Sequence, residues 1–339
     1  MGTRLLLGAV VAVGLNCGQS WGKFWSVNAT NSAASTNCAS AIATNTLAMI
    51  CVPANSTGFL MGSTAVGGSA TLEHTVASLT AFATAKYEVK YADWQTVKTW
   101  AMSNGYLFAN AGVQGDSGIG TDQHPVTTIN WRDAIIWCNA ASQKDGLTPV
   151  YYANPGFSTV LKTSTNSGSL NGTLGSEDNP YVDWSANGYR LPTEAEWEYT
   201  ARYIDGATFM RGDAPSGWAD NNPANGAVEA AENFSVAWYA PNSGTVTHPV
   251  GAALGNALGA FDMSGNTWEW MWDWYAANYT ASSPFTDADS KGPSSGGSRT
   301  LRGGSYSNVV ADVLASSRSS NFFPWQTNGN IGFRPARRF

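Results

Sequence analysis

The chain has 339 residues with a net charge of −6 and only 12% charged residues, against 43% hydrophobic residues, 36 Gly and 15 Trp. That charged fraction is about half of the usual ~25%, which excludes coiled coils and helical bundles in favour of a loop-rich fold closed by aromatic packing. The acidic balance, with no Lys/Arg cluster before the C-terminus, argues against nucleic acid as the main partner.

The first residues read as an export signal. Arg4 supplies a short positive region and Leu5 to Leu15 an apolar run of signal-peptide length. The run is too short to span a membrane. Cys17 follows at once, an arrangement that resembles a bacterial lipoprotein cleavage site with Cys17 as the lipidated residue. Asn16 departs from the small residue usual before that Cys. An acyl anchor would tether the chain to a membrane without crossing it, so residues 1–17 are assigned as a lipoprotein signal, with plain secretion as the alternative.

Residues 18–46, rich in Ser, Ala, Asn and Thr without periodicity, read as a flexible tether. Cys38 and Cys51 could pair in an oxidising compartment, whereas Cys138 reads as a buried small hydrophobe. The fold is expected to begin at residue 47. Leu47 to Pro53, Gly58 to Ser63, His74 to Leu79 and Tyr87 to Tyr91 have strand character. A helix is expected over Ala92–Ala101, with Trp94, Val97 and Ala101 on its inner face. Gly115-Asp116-Ser117-Gly118 is similar to serine-protease nucleophile loops, but none of His74, His124 and His248 has the context of a base, so the tetrapeptide reads as a plain turn. His124 to Asn130 reads as a strand entering a second helix through Ser142, and residues 151–187 as loop. Thr193 and Glu196 form a capping box that starts a third helix. Ile331 to Arg337 reads as a closing strand.

Between the third helix and the closing strand lies the densest stretch of the chain, residues 259–275, with Trp268, Trp270, Trp272 and Trp274 beside Asp262, Glu269 and Asp273. Acids amid so much aromatic surface read as a tight turn entering a buried strand, its oxygens facing a cation or backbone donors.

Seven motifs follow in order: Phe59-Leu60-Met61-Gly62, Tyr87-Glu88-Val89, His124-Pro125-Val126, the run Arg190 to Glu198, Gly265-Asn266-Thr267-Trp268-Glu269-Trp270, Arg302-Gly303-Gly304-Ser305-Tyr306 and Gly332-Phe333-Arg334. This set closely resembles the formylglycine-generating enzyme (sulfatase-modifying factor) family over residues 47–339. The resemblance implies one α+β domain with a C-type-lectin-like fold and much irregular structure. It also implies oxidation of a sulfatase Cys to formylglycine with O₂ and copper on two Cys thiolates, but the matching positions are Asn308 and Val313. Neither is a soft ligand for Cu(I), so no copper and no formylglycine-generating activity are expected. A structural calcium site is implied at the Asp262 and Glu269 side chains and the Gly265 and Thr267 carbonyls, a hard-oxygen set suited to Ca²⁺. The alternative is that both carboxylates bond backbone N–H groups and Arg side chains. A second family calcium site would use Asn233 and the Phe234 carbonyl.

Ser307–Asn330 also resembles the variable region of diversity-generating-retroelement proteins, which share this fold. A binding face for a protein or glycan ligand is therefore expected on Tyr306, Ser307, Asn308, Asp312, Arg318, Asn321, Phe322, Phe323, Trp325 and Asn328, with core packing of the aromatics as the alternative. The chain is thus expected to be an exported, lipid-anchored, non-catalytic ligand-binding protein at the cell surface or in the periplasm. A metal-dependent oxidase of the same family with a non-standard metal site is the second expectation.

Overall fold

The computed structural model describes residues 34–42, 46–63, 73–116, 118–218, 235–277 and 284–339. The elements are short and alternate irregularly. In the N-terminal half they are α1 (Ala34–Ile42), β1 (Met49–Val52), β2 (Phe59–Met61), β3 (His74–Val76), β4 (Phe82–Ala85), α2 (Tyr91–Met102), β5 (Val113–Gln114), β6 (Val126–Thr127) and α3 (Trp131–Lys144). Then come β7 (Tyr151–Tyr152), β8 (Tyr181–Val182), β9 (Tyr189–Arg190), α4 (Glu194–Arg202), β10 (Trp268–Trp274), β11 (Arg299–Arg302), β12 (Arg318–Phe322), β13 (Ile331–Gly332) and β14 (Ala336–Arg337). This is the expected α+β architecture.

Two four-stranded sheets carry it, in the orders β1-β4-β14-β9 and β12-β11-β10-β13. All pairings in both are antiparallel except β10 with β13, where Trp268 and Glu269 lie beside Ile331 and Gly332. The expected closing strand is therefore two strands. Pro335 offers no N–H to a ladder, and the chain changes sheet across Phe333-Arg334-Pro335.

Local chemistry explains the helices. α2 buries Trp94, Val97 and Ala101, the face expected of it. In α3 the Asn130 side chain accepts from the Asp133 N–H while Asp133 accepts from the Asn130 N–H; α4 repeats this with Thr193 and Glu196. Each box satisfies two amide donors that a helix start otherwise leaves open. α2 and α3 cover the main core, in which Trp94 and Trp137 stack at 6.2 Å and Phe333 meets both edge-on.

Two expectations are corrected. Tyr87–Tyr91 is not a strand: β4 lies earlier, and the segment bends so that the Glu88 side chain reaches Asn266 and Thr267. The stretch 18–46 is not tether throughout, because it contains α1. Cys38 of α1 is disulfide-bonded to Cys51 of β1, and Arg337 donates to the Ala41 carbonyl at 2.7 Å. Residues 1–33, with Cys17, lie outside the described residues. Among the described residues no helix is long and apolar enough to cross a membrane.

Candidate functional site

The turn before β10 is built by left-handed backbone. Asp262, Gly265 and Asn266 have φ of 56°, 78° and 60°, a region that costs non-Gly residues unless neighbours hold them there. Asn266 is held on both sides, its side-chain N–H donating to Glu88 at 2.6 Å and its side-chain oxygen accepting from the His248 N–H at 2.9 Å. The Thr267 N–H and hydroxyl both donate to Glu88, at 2.9 and 2.6 Å. Gly265 has no latitude: a Cβ there would lie 2.1 Å from the Trp238 carbonyl oxygen. Gly265→Ala is therefore expected to lower the melting temperature by more than 5 °C, roughly the equivalent of 2 kcal/mol in a domain of this size, as differential scanning calorimetry would read.

The acids of this turn form one buried group. Glu269 accepts from Arg334 at 2.8 Å and from the Trp197 indole N–H at 2.9 Å. Asp262 accepts from the Gly251 N–H at 2.6 Å through one oxygen, while its other oxygen is buried without a hydrogen-bond partner. Burial pushes the Asp262 carboxyl up to about 6. Glu88 is also raised, first by burial and then by Asp262 and Glu269. The carbonyl oxygens of Met263 and Thr267 lie 3.4 and 3.8 Å from the point a Cβ on Gly303 would occupy. Asp262 thus keeps one oxygen without a protein partner, the chemistry a hard cation takes, while Glu269 is occupied by Arg334 and Trp197. Among the described residues no three His, Cys, Asp or Glu form a metal-holding group, so such a site would depend on the carbonyls. Asn233 and Phe234 lie outside the described residues.

The second centre follows β11. Asn308, at the position matched to the family's first thiolate, lies in a network of Ser305 and Asp312 side chains. Its oxygen accepts from the Ser305 N–H at 3.1 Å and the Ser305 hydroxyl at 2.5 Å, and its amide donates to Asp312 at 2.8 Å. Asn330 donates to the Ser305 and Ser307 hydroxyls at 3.3 and 3.4 Å, and its own oxygen is buried without a partner. Val313, at the second thiolate position, is fully buried with Val236, Ala237 and Tyr239. Beside this network His248 stacks on Trp238 at 3.7 Å, and the His124 Nδ1 lies 3.1 Å from the Thr247 hydroxyl. Tyr306 hydrogen-bonds Asp116. Ser117 lies outside the described residues.

The residues expected on the binding face divide. Ser307 and Asn328 are exposed, and Asn308 and Asp312 are half-buried. Phe323 is 43% exposed and stacks face to face with the half-buried Trp325 at 4.8 Å. Phe322 instead packs on the core, edge-on to Trp270 at 6.3 Å. Arg318 is removed from the face: it is buried, with Nε and one terminal nitrogen each 2.6 Å from Glu194, and a surface ligand would have to break that pair to reach it. Tyr306 is likewise buried, turned toward Asp116. Asn321 lies in β12, its side chain outside what is described. Sequence reasoning missed Ser305 and Asn330, which complete the network around Asn308. Their signal is positional, since each abuts a motif strand, β11 and β13.

The chain's similarities agree with this architecture. The profile of the Sulfatase-modifying factor enzyme 1-like domain matches residues 35–339. The chain is 33% identical over 224 residues to the chaperone protein LppX of Paenibacillus barcinonensis, covering 59% of this chain and 64% of that one. It is 38% identical over 168 residues to the formylglycine-generating enzyme of Streptomyces coelicolor, covering 46% of this chain and 48% of that one. Both alignments span less than two thirds of the relative's length. Among solved structures, Treponema denticola variable protein 1 superposes with a TM-score of 0.66 at 32% identity, over 86% of this chain and 95% of that one.

Proposed function

We propose that this chain, which belongs to the sulfatase-modifying factor enzyme family over residues 35–339, is an exported, lipid-anchored, non-catalytic ligand-binding protein. Its binding face is the exposed part of Ser307–Asn330, and calcium pins the turn at Asp262 and Glu269. The observation that carries the reading is the pair Asn308 and Val313 at the family's thiolate positions. Asn308 is tied to Ser305 and Asp312, and Val313 is sealed in the core. An amide and an isopropyl group offer Cu(I) no soft donor. Similarity to a protein named a chaperone and to one named a variable protein supports binding over chemistry. The disulfide between Cys38 and Cys51 supports an oxidising compartment, and Cys17 behind an apolar run supports the anchor.

The purified chain is expected to leave a Cys-containing sulfatase peptide unchanged in the presence of copper and O₂, as mass spectrometry would show. Conversion of that Cys to formylglycine would overturn the proposal. The second reading, a metal-dependent oxidase with a non-standard site, draws on His124 and the Asp116 N–H meeting at the Thr247 hydroxyl, with Tyr306 bonded to Asp116, although no metal-holding set of three forms among the described residues. Stoichiometric iron or copper in the purified protein would favour it, and calcium alone would favour the binder.

A further inference from the structure

The polar and aromatic parts of the candidate face are tied together through buried framework residues. Asp312 contacts Asn308 at 2.8 Å, and Asn308 contacts Ser305, whose hydroxyl lies 3.2 Å from that of Ser307. Asn330 bridges to Ser307 at 3.4 Å, and its N–H donates to the Asn328 side chain at 3.3 Å. The Asn328 carbonyl then accepts from the Thr128 N–H, and the Pro324 carbonyl from the Trp131 N–H at the start of α3. Pro324 lies in the chain between Phe323 and Trp325, whose rings stack.

The rings are mounted rather than loose. The Phe323 N–H donates to the Gln326 side chain at 2.8 Å, and the Gln326 N–H returns to the Phe323 carbonyl at 3.0 Å. The buried Arg132 guanidinium lies 5.6 Å from the Trp325 ring centre, itself anchored by Asp178 at 2.6 Å through two nitrogens. An apolar ring held open to water at 43% exposure cannot collapse onto the core and so is preorganised to stack on a ligand.

Charge narrows the ligand. Arg318 is the only basic residue in 307–330, and it is buried against Glu194. Among the described residues, 307–330 therefore offers no exposed basic side chain to phosphate, sulfate or carboxylate groups. Its donors and acceptors are amides, hydroxyls and the Asp312 carboxylate, all groups that a chain of sugar hydroxyls can pair with one by one.

We infer that the face binds a neutral oligosaccharide, one sugar ring stacking on Phe323 and adjacent hydroxyls bonding to the amides of Asn328 and Asn308. This rests on the reading of Ser307–Asn330 as the binding face. The test titrates the full chain with cellohexaose, maltohexaose, xylohexaose and triacetylchitotriose, and with a heparin hexasaccharide, following tryptophan fluorescence. At least one neutral probe is expected to bind with an affinity indifferent to salt, and the heparin probe is not. Phe323→Ala should weaken that binding roughly tenfold, the loss of one stacking contact, with an unchanged melting temperature. Phe323→Tyr should keep it, as should Leu60→Ala, an exposed apolar side chain on β2. Binding by none of the neutral probes, or equal affinity in Phe323→Ala, would overturn the inference. A peptide ligand lost in Phe323→Ala, with no sugar bound, would overturn the ligand class while leaving the binding face standing. A ligand of any kind that binds Phe323→Ala and Asn308→Ala as tightly as the wild type would overturn both.

Discussion

Glu198→Ala is expected to destabilise the chain by about 3–5 kcal/mol, the usual cost of removing one partner from a buried ion pair. That corresponds to a melting temperature lower by on the order of 10 °C. Glu198 is fully buried on α4. It accepts from the Gly62 N–H at 2.7 Å, from Arg202 at 2.7 Å and from Arg302. The other two acids of α4 are similarly occupied, Glu196 with Arg190 at 2.6 Å and Glu194 with Arg318 at 2.6 Å. Truncating Glu198 leaves Arg202 without its carboxylate and Arg302 with only Glu194, which it shares with Arg318, and thermal denaturation at neutral pH reads the effect. The pH dependence has a definite sign. Burial pushes the Glu198 carboxyl up, but Arg302 and Arg202 outweigh it and hold it below the ordinary value. A depressed carboxylate contributes stability that is present above its unfolded pKa of ~4.3 and is lost as pH falls through the folded value. Glu198→Ala should therefore lose less stability on acidification than the wild type does. Equal melting temperatures at neutral pH would show that the arginines find other partners.

The second large effect concerns the turn before β10. Excess calcium chelator should lower the melting temperature of the wild type, and added calcium should restore it. Asp262→Ala should lower it permanently and remove the response to calcium. Saturating a site at a hundred times its Kd contributes ~2.7 kcal/mol, which sets the scale. Three carboxylates, Glu88, Asp262 and Glu269, interact with the one guanidinium of Arg334. If all ionise, the group is left with excess negative charge in a buried place, which a divalent cation would offset. Burial raises the Glu88 and Asp262 carboxyls. A wild-type melting curve indifferent to both chelator and calcium would end the calcium assignment.

What could be read from the sequence was what short-range chemistry dictates. Thr193 and Glu196 announce the start of α4 because a capping box needs only four residues. Trp94, Val97 and Ala101 announce the inner face of α2 because three turns of helix repeat the spacing. The strands gave less. β9, β13 and β14 have two residues each, too few to show alternation, and Tyr87–Tyr91 alternates without being a strand because Glu88 is drawn inward by Asn266, 178 residues away. The face suffered the same blindness. Arg318 looked like a ligand contact beside exposed polar residues, and only its partner Glu194, 124 residues away, shows it to be framework. Asn308 could be identified as a replaced position, but not as part of a network with Asn330.

The place of β14 has a consequence for how the chain comes to be folded. Ala336 and Arg337 pair with β4 on one side and β9 on the other, so β14 is an interior strand flanked by two segments far earlier in the chain. Until β14 is in place, the half containing β1 and β4 and the half containing β9 have no bridge. Arg334, which closes the acidic turn, lies just before it. Such long-range pairing makes folding slow. A chain with such pairing cannot complete this sheet until segments far apart in the sequence have met.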